Sequence, residues 1–123
     1  MTSFEKLEAA VKALDAKKGR EIEAVRVDDL TVLADYFVIA TATSSTHVRA
    51  LADEVEDVLS RLGEEPDHIE GKTTGWILLD YHDVVVNVFD RKSRDFYQLE
   101  RVWNDGEKMD LSGMLEPETQ GEI

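Results

Sequence analysis

The chain contains no cysteine. Disulfides, thiolate metal sites and cysteine nucleophiles are therefore excluded, and a reducing compartment fits, which makes a cytoplasmic location the expectation. Cations are scarce as well: 14 Lys and Arg stand against 27 Asp and Glu, for a net charge of −13. Free RNA or DNA would be repelled, because nucleic-acid affinity rests on cations neutralising phosphates. No direct dependence on nucleic acid is expected, whereas a basic protein partner would be attracted and steered. Acidity of this size also serves solubility alone, so it discriminates against partners without naming one. No apolar run approaches a membrane span, and the N-terminus (Met1-Thr2-Ser3-Phe4-Glu5-Lys6) has an acid early and no apolar core, unlike a signal peptide.

Catalytic constellations are missing too. His47, His68 and His82 are scattered, with no pair at metal-ligand spacing. Asp80 and Asp83 stand three apart and would suit Mg²⁺, but Asp there more commonly ends a strand and opens a turn, and the turn reading is preferred. Ser44 and Ser45 follow an apolar run where helix N–H groups can bind an anion, yet no glycine lets the backbone wrap a phosphate, so N-capping is preferred. No Ser, Thr or Lys shows a neighbouring base that would make it a nucleophile. The expectation is a non-enzyme without metal or cofactor.

What is present is a regular alternation of elements in a chain of 123 residues, with hydrophobic residues at 42%, enough for one domain with a real core. Residues 2–19 read as an amphipathic helix with Phe4, Leu7, Val11 and Leu14 on one stripe, a Thr2/Glu5 capping box and Gly19 as the stop. Residues 21–28 alternate like a half-buried strand, whereas 36–42 form a near-continuous apolar run that predicts a strand buried on both faces. A second helix follows the N-cap candidates Thr43 to Thr46, with Val48, Leu51, Val55, Val58 and Leu62 on its stripe and Gly63 closing it. Ile69 marks a short extended piece. Strands at 76–81 and 84–89 are separated only by His82 and Asp83, which predicts an antiparallel hairpin. A last helix over 93–103 would place Phe96, Leu99 and Trp103 inward. The order is α-β-β-α-β-β-β-α, an α/β (α+β) fold with a single mixed sheet and flanking helices. Residues 1–104 form the domain, and the acidic stretch 105–123 is expected to be a flexible tail.

The aromatic residues concentrate late. Trp76, Tyr81, Phe89, Phe96, Tyr97 and Trp103 lie within twenty-eight residues, interleaved with Arg91, Lys92, Arg94 and Arg101. On a strand, Trp76, Leu78 and Asp80 share one face, while Ile77, Leu79 and Tyr81 share the other. One face meets the core, and the other would expose an aromatic beside charge, the composition of a binding hot spot. From the residues alone, such a face and a wholly buried cluster weigh about equally.

The run Ala34-Asp35-Tyr36-Phe37-Val38-Ile39-Ala40-Thr41-Ala42-Thr43-Ser44-Ser45 resembles the "A-D-Y-F-V-I-x-T-x-x-S" segment of the ribosomal silencing factor family, RsfS or Iojap. His47 to Ala52, Glu70-Gly71, Trp76 to Tyr81 and Asp83 to Val86 continue the resemblance. Arg94-Asp95-Phe96-Tyr97-Gln98-Leu99-Glu100-Arg101-Val102-Trp103 is similar to its closing "R-x-F-Y-x-L-E-x-L-W". Several motifs agreeing in order are far more specific than any one of them. The resemblance implies a sheet-and-helix fold akin to nucleotidyltransferases. It also implies binding to the large ribosomal subunit on its fourteenth protein, steric blocking of small-subunit joining, repression of translation, and a homodimer when the ribosome is absent. By position, it places the partner-binding face on Trp76, Leu78, Asp80, Tyr81, Lys92, Phe96, Tyr97 and Glu100. The alternatives are a large-subunit assembly factor using the same surface and, less favoured, a nucleotidyltransferase-like enzyme. The latter would need a Gly-Ser pair and an Asp-x-Asp that this chain lacks. Two departures stand out: His82 where the family often has glycine, and Asn87 where it often has histidine. Neither is expected to touch the contact residues directly.

Overall fold

A computed structural model describes residues 1–71, 75–98, 101 and 104–115. The elements run α1 (Ser3–Ala16), β1 (Arg20–Arg26), β2 (Tyr36–Ala42), α2 (Ser45–Arg61), β3 (His68–Glu70), β4 (Trp76–Asp80), β5 (Val84–Asp90), α3 (Arg91–Tyr97) and β6 (Glu107–Lys108). This is the expected α+β order with a short strand added at the end.

Both long helices begin and end where capping chemistry places them. Thr2 Oγ1 accepts from the Glu5 N–H at 3.0 Å, and Glu5 Oε1 accepts from the Thr2 N–H at 2.7 Å, a complete capping box. Ser44 caps α2 by accepting the His47 N–H at 3.1 Å. Each helix closes with a paired reverse bond: Gly19 N–H to Leu14 C=O with Lys18 N–H to Asp15 C=O, and Glu64 N–H to Leu59 C=O with Gly63 N–H to Ser60 C=O. The residue in the left-handed conformation is Gly63 (φ 88°) in α2 but Lys18 (φ 67°) in α1, one position before the expected Gly19.

The sheet has six strands in the order β3-β4-β5-β2-β1-β6. The central pair, β2 and β5, is parallel, and every other pairing is antiparallel. A parallel pair needs a crossover, and α2 followed by β3 and β4 supplies it. The β4–β5 hairpin forms as expected. Its link is tight: Tyr81 N–H donates to Val84 C=O, and His82 takes φ 76°. Histidine is among the residues that enter this left-handed region more readily than most.

Alternation along the strands divides the interior in two. Val38, Ala40, Ile77, Leu79, Tyr81, Val84, Val86 and Val88 face α1 and α2 in the larger core. Leu7, Val11 and Leu14 of α1 and Val48, Leu51, Val55 and Leu59 of α2 meet them there. Phe4 and Leu62, expected on those stripes, are 43% and 52% exposed at the helix ends. On the opposite face Val25, Val27, Ala34, Phe37, Ile39 and Phe89 form a smaller core, with Trp76 and Val85 against it.

Two expectations are corrected. The last helix starts at Arg91 on the Asp90 cap, which accepts the Ser93 N–H at 2.7 Å, and not at 93. The helical phase shifts with it: Arg94 becomes the buried residue and Phe96, expected inward, is 78% exposed. Leu99 and Trp103, expected beside it, lie outside the described residues. The stretch after 104 also docks in part. β6 pairs with β1, Met109 N–H donates to Ala24 C=O at 2.8 Å, and Leu111 is buried in the larger core with Met114 and Leu115 against it. Apolar residues spaced among acids anchor this stretch despite its composition. Residues 116–123 lie outside the described residues.

Lys6 ties three elements together. Its ammonium lies 2.7 Å from Asp83 Oδ1 and 3.1 Å from Glu64 Oε1, with the side chain almost wholly covered. Burial alone would push this ammonium's pKa down, but hydrogen bonds to Asp83 and Glu64 outweigh it and hold the pKa above the usual lysine value. The folded pKa is raised, so this contribution to stability is complete below the ordinary lysine range and fades as pH climbs through the folded value. Lys6→Met should lower unfolding free energy by about 2 kcal/mol at neutral pH, since it strands two carboxylates near the core. The gap to wild type should narrow at a pH above the ordinary lysine range. Urea titrations at both pH values check this, and a gap unchanged at high pH would show that the loss comes from packing.

Candidate functional site

Gly75 leads into β4 at a point where any side chain would run into the Asp90 carboxylate and the Ser93 hydroxyl. Its carbonyl accepts the Asp90 N–H at 2.8 Å. The start of β4 is thereby set against the cap of α3, and the two aromatic segments meet. Trp76 stands opposite Phe89 in the register. Their rings stack at 4.9 Å between centroids, Tyr97 tilts against Trp76 at 4.8 Å, and Phe96 meets Tyr97 edge-on at 5.0 Å. Exposure rises along this chain of rings: Phe89 is fully buried, Trp76 half-buried, Tyr97 50% exposed and Phe96 78% exposed. Offset and edge-on contacts of this kind add about 0.5–1.5 kcal/mol per pair beyond area burial, enough to fix a cluster at a surface.

Polar contacts hold the cluster from beneath. Trp76 Nε1 donates to Asn87 Oδ1 at 2.9 Å, and Asn87 Nδ2 reaches Val38 C=O at 3.4 Å, with Asn87 wholly buried. Asn87, expected to stay clear of the contact residues, thus positions the first of them. Arg94 also departs from its surface reading. It is 2% exposed and donates from Nη1 to Glu21 C=O at 2.6 Å and to Thr41 Oγ1 at 2.7 Å, with Glu23 at 3.4 Å. Its neighbour Arg91 pairs with the Glu21 carboxylate, whose pKa is held below the usual range by that hydrogen bond. Glu21 itself takes φ 47° at an irregularity in β1. These contacts clamp α3 to the sheet and so aim Phe96 and Tyr97 outward.

Seven of the eight residues proposed from sequence can be located. Trp76, Leu78 and Asp80 lie half-buried on the outer face of β4, and Lys92, Phe96 and Tyr97 are exposed on α3. Lys92 and Phe96, four apart, share one side of the helix, and Lys92 has no ion pair among the described residues. Asp80 is occupied locally: Oδ1 accepts the His82 N–H at 2.8 Å, and Oδ2 lies 3.7 Å from His68 Nδ1. Tyr81 does not join the others. It is 2% exposed on the opposite face, in the larger core, because it shares the parity of Ile77 and Leu79. Glu100 lies outside the described residues.

Asp83, the other half of the pair weighed for Mg²⁺, binds Lys6. His47 accepts the Thr43 N–H at Nδ1 (2.9 Å) and donates from Nε2 to Lys17 C=O (2.7 Å), stapling the start of α2 to the end of α1. Among the described residues no three His, Asp or Glu side chains cluster to hold a metal ion, and no helix is long and apolar enough to cross a membrane. A shallow groove of about 460 Å³ between α1 and α2, lined by Ala9, Ala13, Val58, Glu5, Glu8 and Glu54, lies on the far side from the rings.

Fold and site together define a protein of the mixed-sheet α+β class that presents a rigid aromatic edge beside a helix. The family described as "Ribosomal silencing factor during starvation" matches residues 1–122. The ribosomal silencing factor RsfS of Halalkalibacterium halodurans is 35% identical over 116 residues, covering 94% of this chain and 99% of that protein. That of Bacillus subtilis is 36% identical over 106 residues, covering 85% and 90%. A crystal structure of a protein from Chromobacterium violaceum superposes with a TM-score of 0.83 at 34% identity, over 91% of this chain and 93% of that one. The chain belongs to the ribosomal silencing factor (RsfS) family.

The Tyr81 hydroxyl finds no hydrogen-bond partner among the described residues, and burial pushes its pKa upward, with Glu56 and Glu65 adding to the rise. An orphaned buried hydroxyl costs about 1–3 kcal/mol. Tyr81→Phe should therefore raise unfolding free energy by about 1 kcal/mol in urea titration, and a fall would show that the hydroxyl has a partner. Arg94→Ala should cost about 3–5 kcal/mol by removing a buried guanidinium from fixed acceptors. Loss of ring-packing signal in near-ultraviolet circular dichroism should accompany it.

Proposed function

We propose that this protein acts in the cytoplasm as a non-catalytic silencing factor. It binds the large ribosomal subunit through that subunit's fourteenth protein, occupies space the small subunit needs for joining, and so represses translation. The observation that carries this reading is the exposed run Trp76–Tyr97–Phe96 with Leu78 and Lys92 beside it, in a chain of this family. Aromatics next to a cation are the usual composition of an energetic centre in a protein interface. The net charge of −13 complements a basic ribosomal protein and speeds encounter with it. When no ribosome is present, the chain pairs with a second copy as a homodimer.

The test is sedimentation with purified large subunits, followed by addition of small subunits. The protein should travel with the large subunit and reduce the yield of joined ribosomes. Phe96→Ala removes a ring that is 78% exposed and meets Tyr97 edge-on, so stability should fall by no more than about 1.5 kcal/mol. Affinity for the large subunit should fall by about 2 kcal/mol, roughly thirtyfold. Trp76→Ala should weaken binding at least as much, at some cost in stability. Unchanged affinity in folded Phe96→Ala would remove α3 from the interface.

A further inference from the structure

Among the described residues the most exposed large apolar side chain is not on the aromatic edge. Val32 is 99% exposed and Leu33 77%, with Leu30 at 46%, in the loop between β1 and β2. Single exposed apolar residues are ordinary on protein surfaces. Here three within four positions project from one loop, and the loop is tied down at every turn. Val27 N–H donates to Asp35 C=O at 2.8 Å, closing its base. Leu30 and Thr31 N–H groups both reach Val27 C=O, at 2.9 and 3.0 Å, and Leu33 N–H donates to Thr31 Oγ1 at 3.1 Å. Asp35 N–H is held by Asp83 C=O at 2.8 Å. The backbone is thus organised in advance while the side chains stand in water, the arrangement that lowers the entropic cost of binding.

We propose that this loop is a second contact for the basic protein surface engaged by the aromatic edge, with Val32 and Leu33 entering an apolar recess bordered by lysine or arginine. The inference rests on the ribosome-binding reading given above. Continuity supports it: Val27 and Ala34, at the base of the loop, belong to the same small core as Phe89, against which Trp76 packs. The loop and α3 therefore flank one sheet face, with Leu78 and Asp80 of β4 on that face. Charge selects the partner. Asp28, Asp29 and Asp35 surround the knob, and the nearby cation Arg26 is shared between Asp28 (3.2 Å), Asp29 (3.4 Å) and Glu107 (3.3 Å). This negative collar opposes an anionic membrane surface. A second copy docked about a two-fold axis would bring like collars together. A basic protein satisfies both the knob and the collar.

The absence of cysteine permits a direct test. The full chain bearing Val32→Cys, labelled with a photo-crosslinker, is mixed with purified large subunits. The crosslink should go to a basic large-subunit protein. In parallel, V32S/L33S should bind large subunits at least tenfold more weakly, with an unchanged unfolding midpoint. Should the double variant be destabilised, Val32→Ser alone is read, since that residue is almost wholly exposed. Wild-type affinity in the serine variants, together with weakened binding by Phe96→Ala, would overturn the second contact and leave the ribosome reading standing. A crosslink mainly to another copy of the chain would overturn the choice of partner. Failure of the unmodified chain to bind large subunits would remove both.

Discussion

The parallel pairing of β2 with β5 is the constraint from which the rest of this fold follows. Seven consecutive residue pairs, Tyr36 with Val84 through Ala42 with Asp90, make up its register. A parallel pair cannot be closed by a turn, so the chain must leave the sheet as α2 and return through β3 and β4 before β5 can form. Both strands are buried on both faces over most of their length, so both faces need cover. α1 and α2 cover one face completely. Among the described residues the other receives only the short α3 at one end and the β1–β2 loop at the other. The unequal cover is what leaves β4 with a half-buried outer face, and that face carries the proposed contact residues.

Short covering elements cannot hold themselves in place by apolar area. α3 is a single seven-residue helix with one buried side chain, Arg94. A guanidinium is costly to bury unless its donors are met, and here they meet the Glu21 carbonyl, the Thr41 hydroxyl and the Glu23 carboxylate. Directional bonds do for α3 what a hydrophobic stripe does for α1. Asn87 plays the matching part below β4, turning the Trp76 indole to a fixed angle. The loop at the opposite end depends on Asp83, whose carbonyl takes the Asp35 and Tyr36 N–H groups while its carboxylate takes Lys6. The proposed docking surface is therefore framed by polar groups whose hydrogen bonds hold the structure together.

Much of this was legible in the sequence, for identifiable reasons. Capping boxes, apolar stripes and the two-residue gap between strands are local signals, and α1, α2, β2 and the β4–β5 hairpin appear within a few residues of where they predict. The parity that put Trp76, Leu78 and Asp80 on one face also holds. The same parity placed Tyr81 with Ile77 and Leu79, so its inclusion among contact residues came from motif position against the periodicity, and the periodicity prevails. What the sequence hid were interactions between distant segments. Nothing local marks Arg94 as buried, since its acceptors lie 53 and 73 residues away. β6 is two residues long and is a strand only because β1 has a free edge beside it. The Asn87–Trp76 bond spans eleven residues of chain and needs the hairpin register to be known.

An acidic protein with an aromatic edge divides the work of binding between two kinds of force. Long-range attraction from a charge of −13 raises the rate of encounter with a basic surface, but it is screened within about 8 Å at physiological salt and carries little orientation. The proposed contacts of the rings and the loop would act only at close range, where desolvation of apolar area slows departure. On the proposed function, blocking subunit joining by bulk alone needs the second property more than the first, because such a factor must outlast repeated collisions by the small subunit. Rigid attachment of the rings to the sheet, through Arg94, Asn87 and the Gly75–Asp90 contact, serves that need: side chains already fixed in place lose little entropy on binding, so more of the contact energy goes into residence time.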